Sequence, residues 1–230
     1  MTDSDRDSLK TVEDEWLASY AAGGLSPAKR LVIACQATID ARVAERLARM
    51  DHVCGAVLEG ADGADLSDGF IDRVVGALDG AAPSAFGSAI ADEDARGAED
   101  EAPEWAPAPL NRFLRDIGRA LAWRPIGPGV ARAPLFDAED GERLYLLRAR
   151  GGVKIPSHGH RGEEWTLVLQ GGYHAGAAGY GVGDLHREDE TAEHQIVIDA
   201  GEPCISLVAI EGRLRFGNPL LRLLQPFAGV

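Results

Sequence analysis

The chain has 230 residues, with 37 Asp and Glu against 23 Lys and Arg, a formal charge of −14 at pH 7. That length serves one large domain or two small ones, and an apolar fraction of 45% with 26% charged residues excludes a wholly disordered chain. So acidic a balance argues against direct nucleic-acid binding, which needs clustered Lys and Arg, and leaves docking onto a basic protein open.

The opening, Met1-Thr-Asp-Ser-Asp, shows no apolar run behind a basic leader, so no signal peptide is expected. No later stretch approaches 18 apolar residues, so no membrane span is expected either. Cys35, Cys54 and Cys204 lie too far apart for a disulfide framework, and a cytoplasmic protein is the expectation. Thr11-Val-Glu-Asp14 reads as a capping box opening a helix through Trp16, Leu17 and Tyr20 that stops at Gly23-Gly24. Ser26-Pro27 opens the next, with Ser as N-cap and Pro at the first helical position, where no N–H is needed. Leu31, Cys35, Ile39, Val43, Leu47 and Met50 follow at steps of three and four as one apolar stripe. A short helix after Ser67 carries Phe70, Ile71, Val74, Val75 and Leu78. Residues 1–78 are therefore expected to form a small all-α bundle.

Residues 79–108 hold ten Ala, three Pro and eight Asp or Glu against one Arg, a composition read as an acidic linker. An amphipathic helix from Leu110 to Leu121 leads into residues 109–230. There the period changes to two: Leu144–Leu147, Trp165–Leu169, Gln195–Ile198 and Ile205–Ile210 read as strands separated by Gly-rich breaks. Strands this close, without helices between them, predict an antiparallel sandwich or barrel and an α+β chain overall.

Five of the six histidines fall between residues 158 and 194. His158 and His160 stand two apart, so on a strand both imidazoles share a face, with Glu164 in the same phase. His194 follows on a later apolar strand. Three imidazoles and a carboxylate suit one divalent transition metal, and the spacing admits Zn, Fe, Mn, Ni or Cu. His174 and His186 read as surface or hydrogen-bonded side chains. No catalytic residue and no organic cofactor site is assigned.

The run Gly152–Gly171, with His158-x-His160, then Glu164, then Gly171, resembles the first motif of the cupins, small jelly-roll barrels with a metal between their sheets. Gly183–His194 has the spacing of the second motif, with Asp189 and Thr191 where many cupins have Pro and Gly. The full-length order resembles the ChrR family of cupin anti-sigma factors: a helical part containing Trp16-Leu-Ala-Ser-Tyr-Ala-Ala-Gly23, a loose acidic segment, then a cupin with His158-Gly-His-Arg-Gly162, Leu167-Val-Leu-Gln-Gly171 and Leu224-Gln-Pro-Phe227. The resemblance implies helices that hold an extracytoplasmic-function sigma factor inactive and a cupin that binds zinc and takes part in an oxidant response. It also implies a second zinc in the helical part, but the matching positions here are Cys35, Ile39 and Arg42, and no histidine precedes residue 52. The helical part is therefore expected to fold without metal.

The leading expectation is a regulatory, non-enzymatic protein whose helices bind a sigma factor and whose metal-bound cupin senses an oxidant or small molecule. The alternatives are a metal-dependent cupin enzyme of the dioxygenase kind and a cupin that only binds a ligand.

Overall fold

The computed structural model describes residues 10–80, 103–118, 120–138, 141–159, 162–191, 193–211 and 215–216. The opening residues, the middle of the acidic segment, His160, the side chain of His194 and the Leu224–Phe227 run lie outside this set.

Among the described residues five helices come first: α1 (Asp14–Ala21), α2 (Pro27–Ile39), α3 (Ala41–Glu59), α4 (Phe70–Gly80) and α5 (Ala108–Asp116). Ser26 caps α2 by accepting from the Lys29 N–H at 3.4 Å, with Pro27 at the first helical position. The capping box at Thr11 does not form. Glu13 takes the N-cap position of α1 without a side-chain bond, and the Thr11 hydroxyl instead accepts from Arg46 at 3.2 Å. The stripe from Leu31 to Met50 is likewise not one helix. Asp40 is extended (φ −112°, ψ 108°) and its carboxylate accepts from the Arg42 N–H at 2.9 Å, which ends α2 and caps α3. The expected helix from Leu110 to Leu121 ends early, at Gly118 with φ +59°, and Leu121 packs on the core from a non-helical segment.

The described residues then form eleven strands: β1 (Arg124–Gly127), β2 (Val130–Asp137), β3 (Glu142–Ala149), β4 (Lys154–Gly159), β5 (Glu164–Gln170), β6 (Gly172–Ala175), β7 (Ala178–Gly181), β8 (Leu185–Glu188), β9 (Glu193–Ile198), β10 (Cys204–Glu211) and β11 (Arg215–Phe216). They form a six-stranded sheet, β1-β2-β3-β10-β5-β8, and a five-stranded sheet, β11-β4-β9-β6-β7. Every pairing is antiparallel. The α+β order and the double-sheet architecture agree with the sequence reading.

The larger sheet is buried on both faces. Along β5, Trp165, Leu167 and Leu169 share one apolar cluster with Leu17, Leu31, Val32 and Cys35 of the helices, whereas Val168 packs with Tyr173, Ile196 and Ile198 of the second sheet. Period-two alternation thus sends odd positions of β5 to the helices and even positions to the sandwich interior. The helices have no separate core among the described residues; they complete one with the sheet. Ala106 is also buried and Trp105 packs on the same cluster, so the chain rejoins the core before residue 108.

Buried polar contacts fix the docking. Gln36, fully buried, accepts from the Val12 N–H at 3.2 Å and donates to the carbonyls of Lys10 (3.1 Å) and Gly183 (3.0 Å). The Leu185 N–H donates to the Lys10 carbonyl at 2.7 Å, which ties the N-terminal segment to edge strand β8. Trp16 of α1 meets Trp165 of β5 edge-on, with ring centroids 5.1 Å apart, and Lys29 and Arg187 lie over both rings at 5.2–5.4 Å.

Candidate metal site

His158 closes β4, and the antiparallel register sets it directly opposite His194 on β9. The pairing is irregular between Ile155 and His158, where Pro156 has no N–H to give the ladder. The Pro156 carbonyl lies 2.9 Å from His158 Nδ1. A carbonyl only accepts, so in the neutral ring Nδ1 carries the proton and Nε2 the lone pair, which is the tautomer a metal-ligating imidazole uses. The ring is 6% exposed.

Glu164 opens β5 on the even, inward phase and is also 6% exposed. The Thr166 hydroxyl donates to its Oε1 at 3.1 Å. Burial, with the Glu164 charge added to it, pushes the phenols of Tyr145 and Tyr173 well above their ordinary value of 10.0, so both keep their protons. A buried imidazole in the right tautomer, a histidine in register with it and a buried inward carboxylate are a donor set that fits a divalent metal. His160 and the side chain of His194 lie outside the described residues, and among the described ones no group of three donors comes together.

The sequence reading passed over two features. His186, on β8 opposite Thr166, is 5% exposed. Its Nδ1 bonds Tyr173 Oη at 2.9 Å and its Nε2 bonds Glu188 at 2.7 Å, with Tyr180 stacked on the ring at 4.2 Å. The in-phase pair His186-x-Glu188 on a strand was the available signal. His174, by contrast, is an exposed histidine paired with Asp199. The second feature is Glu163, which faces the helices while Glu164 faces inward. Its carboxylate and that of Glu211 hold Lys29 Nζ at 2.8 and 2.6 Å. Burial alone would lower the Lys29 ammonium's pKa, but the hydrogen bonds and charges of these two carboxylates together outweigh it and raise it.

At the positions where the ChrR resemblance implies helical zinc ligands, Cys35 is fully buried among apolar side chains, with burial raising its pKa to about 12. Ile39 packs against Gly183, and Arg42 pairs with Asp40 at 2.8 Å.

Comparison with known proteins agrees with this architecture. The family described as "ChrR Cupin-like domain" matches residues 115–211. The anti-sigma-E factor ChrR of Cereibacter sphaeroides is 36% identical over 217 residues, which is 94% of this chain and 96% of that protein. This chain belongs to the ChrR family. The crystal structure of Rhodobacter sphaeroides SigE in complex with the anti-sigma ChrR superposes with a TM-score of 0.66 at 31% identity, covering 87% of this chain and 98% of the matched one. The ChrR likeness therefore spans the helices as well as the sandwich, and the cupin assignment of residues 115–211 stands on both sequence and topology. No described helix is long and apolar enough to cross a membrane.

Proposed function

We propose that this ChrR-family chain is an anti-sigma factor of the cytoplasm: its helices hold an extracytoplasmic-function sigma factor inactive, and its cupin carries one divalent metal and senses an oxidant or small molecule. We divide it into helices (1–78), an acidic connection (79–108) and a cupin (109–230).

The observation that carries the partner is the set of exposed apolar side chains on α3 and α4. Val57 and Leu58 are 72% and 75% exposed, and Ile71 and Val75 are 60% and 53% exposed, with Val53 and Phe70 beside them. Asp51, Glu59, Asp62, Asp68 and Asp72, on the same two helices and the segment between them, are exposed. Exposed apolar side chains on two helices, with exposed acids on the same segments, fit a partner that offers apolar helix faces among basic residues. The solved complex of a ChrR relative with SigE supports the same partner class.

For the metal, His158, His160, Glu164 and His194 are the proposed ligands and zinc the proposed ion, which suits three imidazoles and one carboxylate. A bound zinc would supply a fixed cross-link between β4, β5 and β9. The chain's own part is to set the His158 tautomer through Pro156 and hold the Glu164 carboxylate through Thr166. We assign the site no reaction.

The test is co-expression with the extracytoplasmic-function sigma factor of the same genome. A stoichiometric complex is expected, and Val57→Asp combined with Val75→Asp should abolish it while leaving the melting temperature unchanged. Full binding by that double variant would refute the assignment.

A further inference from the structure

Three neighbouring strands, β3, β10 and β5, present acidic residues at one end of the larger sheet, and the first turn of α2 sits among them. Glu142, 3% exposed, accepts from the Ser26 hydroxyl and from the Ala28 N–H at 3.4 Å. Glu211, its register partner, holds Lys29 Nζ from one side and Glu163 holds it from the other. The Glu211 N–H donates to the Glu163 carbonyl at 2.9 Å, so the two acids also share a backbone link. A helix N-terminus bearing a lysine on its first turn is a positive end, and three carboxylates close around it.

The clasp and the candidate metal site are joined covalently. Glu163 and Glu164 are consecutive, one facing α2 and the other the sandwich interior. Gly162 lies close against Glu211: a Cβ there would lie 2.8 Å from the Glu211 carbonyl oxygen. A shift of the Gly162–Glu164 backbone therefore bears on Glu163 and, through its link to Glu211, on both acids of the clasp. The docked junction is also not saturated with hydrogen bonds. Trp16 Nε1, Trp165 Nε1 and Arg187 Nε are buried there with no partner among the described residues. Such orphaned donors oppose docking and leave an alternative, opened arrangement within reach.

We propose that this clasp, Glu142, Glu163 and Glu211 around the start of α2, couples the state of the His158/Glu164 site to the docking of the helices on the sheet. With metal bound, Glu164 is held, Glu163 stays on Lys29 and the helices remain docked; with metal lost, Glu164 is released, its neighbour Glu163 loosens its hold on Lys29 and the helices open. The proposal rests on the metal-site reading above and not on the identity of the helices' partner. Coupling is reciprocal, so loosening the clasp must weaken metal binding by the factor with which metal loss loosens the clasp.

That reciprocity gives a test on the full chain without any partner, using zinc alone as the probe. Lys29→Met keeps the stem and removes the charge. Simple electrostatics predicts that deleting a cation near the site tightens zinc binding, whereas coupling predicts weaker binding, on the order of tenfold. Lys29→Arg should restore most of the affinity. In the wild type, chelation should diminish the near-ultraviolet circular dichroism of the Trp16–Trp165 pair with the far-ultraviolet signal unchanged. The proposal is overturned if Lys29→Met binds zinc as tightly as wild type or tighter, or if chelation leaves the tryptophan signal intact. Should Lys29→Met fail to fold, Glu142→Gln, which loosens the clasp away from Glu164, is expected to weaken zinc in the same direction, and equal affinity there overturns it as well. A wild-type chain that takes up no zinc removes the metal reading and this proposal with it, whatever the chain binds through α3 and α4.

Discussion

Gln36→Leu tests the helix–sheet junction with one substitution of similar size. Gln36 is fully buried and its amide spans three backbone groups from two distant segments: Val12 N–H, Lys10 carbonyl and Gly183 carbonyl. Leucine fills much of the same volume, so the cavity contribution is small and the polar contribution dominates. The Lys10 carbonyl still accepts from Leu185, but Val12 N–H loses its acceptor and Gly183 its donor in fully covered surroundings. At about 1–3 kcal/mol for each orphaned buried group, and less where the backbone relaxes, the variant should lose about 2–4 kcal/mol. With a urea slope of about 2 kcal/mol/M, the midpoint should fall by about 1–2 M. Equilibrium urea unfolding followed by tryptophan fluorescence reads this directly, with Thr38→Ala as control. The Thr38 hydroxyl makes only an exposed bond to the Ala34 carbonyl, and its loss should stay within about 0.5 kcal/mol. A Gln36→Leu midpoint indistinguishable from that control would mean that the N-terminal segment and α2 do not dock as described.

Gly183→Ala should destabilise by about 1–3 kcal/mol in the same assay, because φ is +88° and the new Cβ would lie 2.9 Å from Ile39 Cγ2. Adding Ile39→Ala should recover only the steric share, and full recovery would show that the backbone is unstrained. Glu164→Gln, measured by zinc titration, should bind at least tenfold more weakly, and unchanged affinity would remove Glu164 from the ligand set. Burial raises the Cys204 thiol to about 11 and Cys35 to about 12. At pH 8 the Cys204 thiolate is therefore about one part in a thousand, and a disulfide reagent should label one thiol per native chain quickly, Cys54. Because both folded-state values are raised, the stability these thiols contribute is complete below pH 9 and is lost as pH rises from about 9 toward 12.

Much of the architecture was legible because it rests on local rules. Ser26-Pro27 is a helix start by hydrogen-bond supply, and the period-two runs around Trp165 and Ile205 are strands because one face of each must be covered. The break at Asp40 was misread because the apolar period runs through it unchanged; only the capping ability of Asp distinguished a new start from one more exposed helical position. The sequence put His158 and Glu164 in one phase and His194 on a later strand; that His158 and His194 stand opposite each other in register came only from the sheet. What the sequence did not disclose was the destination of the helices. An apolar stripe on α2 states that a face is buried but not against what, and Trp165 beside Glu164 gave no sign that its strand serves two cores. Nothing local in the sequence marks Lys29, Glu142 or Glu211, because their partners lie more than a hundred residues away.

The same separation sets an order of events on the ribosome. Lys29 and Glu211 are 182 positions apart, and β10 is the central neighbour of both β3 and β5. At about 5–20 residues per second, roughly ten to forty seconds pass between the emergence of α2 and that of the strand it must rest on. Throughout that interval the nascent helices carry two sets of uncovered apolar side chains rather than one: those destined for the sheet and those exposed on α3 and α4. Until β10 emerges, the face of α2 that packs on the sheet has no complete sheet to cover it.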